Sequence, residues 1–93
     1  MGAFDMMTYG SMANILEETS DGKLKIREDQ YDEYITTLEA GNDNQKAGAK
    51  FLKTHVGKED KNGVMDLTLR SMGITSMADL TNDPTKDFKE TAA

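Results

Sequence analysis

Cysteine is absent from these 93 residues, which excludes a disulfide framework, a thiolate metal site and a cysteine nucleophile. The fold must therefore stand on packing alone. Histidine occurs once, at His55, so a metal centre would have to be completed by carboxylates such as Glu59 or Asp60. No His-x-x-x-His or Glu-x-x-His spacing exists to build one, and no metal or cofactor is expected. The serines and acids show no hydrolase pattern around that histidine, and no glycine-rich loop has the form of a phosphate cradle. These absences point away from an enzyme.

Long apolar runs are missing too. Nothing approaches the roughly 18 residues of a membrane span, and the opening MGAFDMMTYG has neither the basic flank nor the apolar centre of a secretion signal. Gly2 is followed by Met6 where the myristoylation pattern wants Ser or Thr. A soluble chain is expected, in the cytoplasm or within a virion. Basic charge is the minority, with 11 Lys and Arg against 17 Asp and Glu and a net charge of −6. That balance repels nucleic-acid phosphates and anionic membranes at long range, so neither is an expected partner.

The length, with 37% hydrophobic residues, suits one small domain that buries roughly 60–65% of its unfolded surface. Asp5 can cap a first helix in which Tyr9, Met12, Ile15, Leu16 and Thr19 recur at helical spacing, ending near Asp21-Gly22. In KLKIR, Leu24 and Ile26 alternate with Lys23, Lys25 and Arg27, the signature of a short extended arm over 23–27. The clearest helix runs from about Glu28 to Ala40. Its apolar stripe is Tyr31, Tyr34, Ile35 and Leu38, and its acids gather at the positive N-terminal end.

Asn42, Asp43 and Asn44 offer caps for a further helix through Val56, with a stripe of Gly48, Phe51, Leu52 and His55 closing on Gly57. Residues 64–72 are ambiguous. Met65, Leu69 and Met72 fit a helix, which is favoured, while Met65, Leu67 and Leu69 alternate like a strand. Ser76 and Asp79 stand at capping-box spacing for a last short turn, and Asn82-Asp83-Pro84 ends regular structure. The expected fold is all-α: a bundle of four to five short helices with one extended arm, the domain spanning 1–82 and a polar C-terminal tail 83–93.

One stretch invites a sharper reading. In EETSDGKLKIRE, with Gly22 at loop position 6, Asp21 falls at position 5, Leu24 at the apolar position 8 and Glu28 at the bidentate position 12, which resembles an EF-hand loop. Glu17 occupies position 1 and Thr19, a poor ligand, position 3. The basic residues cut the loop's net charge to −1, too little for a hard cation. A second such stretch, KEDKNGVMDLTL, places Gly63 41 residues after Gly22 but has Lys58 at position 1 and Leu69 at position 12. Glu17, Asp21 and Glu28 are thus weak calcium candidates, and plain glycine turns are the favoured account.

Lys23, Lys25 and Arg27 form a positive row on an acidic chain, fit for a carboxylate- or phosphate-bearing partner. The seven methionines concentrate toward the two ends, and flexible thioethers suit an adaptable contact surface. Met12, Met65 and Met72 are assigned to the core. Met6, Met7 and Met77, with Phe4 and Tyr9, are candidates for an exposed contact patch, and Phe88 for a docking anchor in the tail. These features favour a non-catalytic protein-contact subunit or adaptor, a homo-oligomer or one of many copies in an assembly such as a phage or virus particle. Two other classes compete: an acidic inhibitor filling a basic groove with Glu17, Glu18, Asp29, Asp32 and Glu33, and a degenerate EF-like calcium module.

Overall fold

The computed structural model describes residues 7 to 88, over which the chain forms five helices and one small antiparallel sheet. The elements are α1 (Tyr9–Ala13), β1 (Leu16–Glu18), β2 (Leu24–Ile26), α2 (Glu28–Glu39), α3 (Asp43–Phe51), α4 (Val64–Ser71) and α5 (Met77–Thr81), with a π-helical turn over Leu52–Val56 after α3. The protein is mostly helical, as its periodicity indicates, but it is not purely all-α.

The departure begins in the first helix. The expected cap, Asp5, lies outside the described residues, and Thr8 performs the task at 3.1 Å from the Ser11 amide. The helix stops at Ala13 because the next residues have a better use. Leu16–Glu18 pairs with the arm in the register Leu16↔Ile26, Glu17↔Lys25 and Glu18↔Leu24. Extended pairing buries Leu16, Leu24 and Ile26 on one face. Such a ribbon is marginal in water by itself, and here it leans on α4.

Helix α2 keeps the expected stripe, with Tyr31, Tyr34, Ile35 and Leu38 buried. Asn42 starts α3 in a reciprocal capping box with Gln45. The end of this helix corrects the sequence expectation. The Gly57 amide donates to the Leu52 carbonyl at 2.8 Å, five residues back, and this wider turn carries Val56 rather than His55 onto the core. His55 is exposed and Phe51 only half-buried. Gly57 itself sits at φ 76 and ψ 165, a region essentially closed to side chains, although nothing crowds its Cα. Gly57→Ala should therefore lower stability by about 1–3 kcal/mol through the backbone alone, measurable as a shift in the urea midpoint.

In the ambiguous stretch 64–72, Val64–Ser71 is helical and buries Met65 and Leu69, while Met72, just past its end, is only partly buried. Ser76 and Asp79 close their capping box at the start of α5. The larger correction concerns the C-terminal segment. Residues after Pro84 return along α1: the Gly10 amide donates to the Pro84 carbonyl at 2.9 Å, the Tyr9 amide to Lys86 at 2.8 Å, and the Phe88 amide to Met7 at 2.6 Å. Thr8 and Asp87 form an isolated antiparallel bridge. Phe88, 1% exposed, inserts edge-on to Tyr9 with ring centroids 5.1 Å apart. Residues 83–88 thus belong to the domain, and Phe88 is a core residue rather than a docking anchor.

Candidate functional site

The EF-like stretch is a β-hairpin. Glu17 faces Lys25 across the ladder, Asp21 stands at the tip, and Glu28 opens α2 beyond the far end of the strand. The three weak calcium candidates are therefore spread along the hairpin, and among the described residues no three acidic or histidine side chains gather as metal ligands. The tip is closed locally. Gly22 takes φ 80, the Thr19 amide donates to the Lys23 carbonyl at 2.8 Å, and the Thr19 hydroxyl donates to the Asp21 carboxylate. That hydroxyl, with the loop's own amide, holds the Asp21 carboxyl below its usual range.

The positive row is largely neutralised by its own neighbours. Lys25 lies 3.6 Å from Glu28 and Arg27 2.9 Å from Asp29. Lys23 alone of the three forms no ion pair among the described residues. The candidate patch of methionines is likewise drawn inward. Met7 accepts the Tyr34 hydroxyl at 2.8 Å, and burial pushes that phenol's pKa up. Met77 and Tyr9 are partly buried against the core. Phe4 and Met6 lie outside the described residues.

The second glycine turn, 57–63, caps α4. Asp60, at φ 48, accepts from the Val64 amide at 2.8 Å and the Met65 amide at 3.3 Å. Lys61 stands 3.5 Å from Glu59. The fold brings this turn against the hairpin tip, leaving a polar cleft of about 310 Å³ between them. Three acids (Asp21, Glu59, Asp60) and three lysines (Lys23, Lys25, Lys61) line it, so the face is charge-balanced on a molecule of net charge −6.

Asp66 fixes that juxtaposition. It is 4% exposed, accepts from the Leu24 amide at 2.9 Å and is ion-paired to Arg70 at 2.8 Å. Burial alone would raise its pKa, but the Leu24 amide and the Arg70 guanidinium outweigh burial and hold it below the usual value. Asp79 is lowered in turn by the Thr75 amide and hydroxyl and the Ser76 amide of its cap. Among the described residues, each carboxylate displaced from its ordinary range is thus engaged in holding a turn, a strand or a helix end.

Leu67 completes the surface. It is 63% exposed, and its amide donates to the Gly63 carbonyl at 3.2 Å, which places it one helical turn from the cleft's rim. Sequence reasoning did not single it out, yet the signal was present. In the alternating pattern Met65, Leu67, Leu69, a strand puts all three on one face, whereas a helix that buries Met65 and Leu69 must turn Leu67 away. Among the described residues no helix is long and apolar enough to cross a membrane. Comparison with family models, curated proteins and solved structures finds no match to this chain.

Proposed function

We propose that the protein is a non-catalytic contact subunit that pairs with a second copy of itself through the face formed by Leu67 and the cleft between the two glycine turns. One observation carries the reading: an exposed leucine beside a rim of three acids and three lysines. A balanced rim of this kind can complement itself, a twofold rotation setting acids of one copy against lysines of the other, while the remaining acidic surface keeps copies apart elsewhere. An apolar side chain flanked by polar and charged groups is also common at specific interfaces. The perturbed carboxylates fit the same view, since Asp21, Asp66 and Asp79 serve the scaffold.

Such a pair is the unit from which a larger assembly can be built, and the small size, lack of cysteine and acidic composition suit a repeated component of a particle such as a phage or virus. Light scattering over a dilution series tests the pairing. The wild-type chain should show a dimer or larger species that is indifferent to calcium, and Leu67→Glu should weaken it by about thirtyfold, the effect of a central contact worth roughly 2 kcal/mol. A wild-type monomer at every concentration, or a Leu67→Glu variant of unchanged mass, would overturn the reading.

A further inference from the structure

Eleven basic residues are spread over an acidic molecule, yet three of them, Lys46, Lys50 and Lys53, lie in line on α3 and its π-helical end. Spacings of four and three residues put them on one side of the helix, where like charges repel. Lys53 is offset by Glu39 at 3.0 Å. Lys46 and Lys50 have no ion pair among the described residues, and the one carboxylate lining the depression beside them, Glu39, is already paired with Lys53. A depression of about 280 Å³ opens between these three lysines, Glu39 and Thr54. It shares Lys50 and Thr54 with a second one of about 240 Å³, whose wall is Ala47, Phe51 and His55.

The second depression has an apolar floor for a physical reason. The π-helical turn leaves His55 exposed and Phe51 half-buried, with their rings 5.4 Å apart. The groove therefore joins a cationic half to an aromatic half. It shares no residue with the Leu67 face.

From this geometry we infer that α3 carries a docking groove for an acidic protein segment bearing one apolar side chain. The segment's carboxylates would meet Lys46 and Lys50, and its apolar residue would rest on Phe51 and Ala47. Charge complementarity selects the class of partner. A polyphosphate backbone would engage the same lysines but would be opposed by the net charge of −6, whereas a short acidic segment carries far less charge past that field. The groove stands independently of the self-pairing proposed above.

The test is a titration of the ¹⁵N-labelled protein, followed by amide shifts, with an acetylated and amidated octapeptide of glycine and serine that carries three glutamates and one central phenylalanine. A lysine-based counterpart and an oligothymidylate serve as comparisons. Shifts confined to the residues around Lys46, Lys50, Phe51 and His55, fading with added salt, are expected for the acidic peptide alone. The double variant Lys46→Glu, Lys50→Glu should bind at least about tenfold more weakly, while its circular dichroism stays unchanged because both side chains are exposed. Ala47→Glu, which adds charge to the groove wall, should have the same direction of effect. No shifts with the peptide, shifts elsewhere, undiminished binding by the double variant, or stronger binding by the oligothymidylate would each overturn the inference. Failure of the Leu67 contact would leave all of these outcomes unaffected.

Discussion

Phe88→Ala should cost about 3–5 kcal/mol of stability, the range for removing a fully buried aromatic side chain. For a domain of this size that loss lowers the thermal midpoint by more than about 12 °C, measurable by circular dichroism. The magnitude follows from where the ring sits. Phe88 is 1% exposed and packs against Tyr9, while the exposed residues 83–87 contribute backbone pairing but little apolar burial. A residue in a polar tail would give a change within about 0.5 kcal/mol, so the two accounts differ by a wide margin. Lys86→Ala, which removes only a cation 5.2 Å above the Tyr9 ring, should stay within about 1 kcal/mol.

The second large effect is expected at Asp66. Asp66→Ala removes the acceptor of the buried Leu24 amide and the partner of Arg70 together, and should cost about 2–4 kcal/mol. Asp66→Asn keeps an acceptor of the same shape and should cost less. The pH dependence separates the charge from the shape. Since the folded carboxyl titrates below its unfolded value of 3.8, its stabilisation is complete above about pH 4 and is lost as pH falls through the lower, folded value. Wild-type stability should decline in that acid window, and Asp66→Asn should flatten part of the decline. The remaining slope belongs to groups such as Asp21 and Asp79, whose carboxyls are also lowered. An Asp66→Asn profile parallel to that of the wild type would show that the carboxylate charge is not what holds α4 to the hairpin.

Where one periodicity dominated, the sequence was sufficient. The Tyr31, Tyr34, Ile35 and Leu38 stripe, the Asn42 start and the Ser76–Asp79 box all depend on contacts within four residues, and all appear in the structure. The failures are tertiary. Leu16 satisfies a helical stripe as well as a strand, and only the presence of Leu24 and Ile26 across the ribbon decides for the strand. His55 satisfies an α-helical stripe, but an i to i+5 turn, which no local pattern announces, substitutes Val56. Phe88 lies in a polar context, and its burial depends on α1 leaving a place for it.

The candidate surfaces were legible to different degrees for the same reason. The basic row Lys23, Lys25 and Arg27 was visible in the sequence, but its neutralisation by Glu28 and Asp29 arises only when α2 starts directly after the strand. The 41-residue separation of Gly22 and Gly63 hinted at paired loops. Their turns do meet, across a cleft that is charge-balanced instead of anionic. Leu67 required a choice between strand and helix before its exposure could be deduced.

The central claim is that two copies meet about Leu67, and the cysteine-free chain allows a direct test by disulfide trapping. Leu67→Cys places one thiol per copy beside the proposed axis, and a bridge forms only if two Cα atoms come within about 7 Å. Ala47→Cys, exposed on α3, provides a comparison thiol away from that face. Under mild oxidant, with the dimer read on a non-reducing gel, Leu67→Cys should give a covalent dimer well before Ala47→Cys does. Equal rates for the two variants, or a Leu67→Cys chain that remains monomeric, would contradict the account.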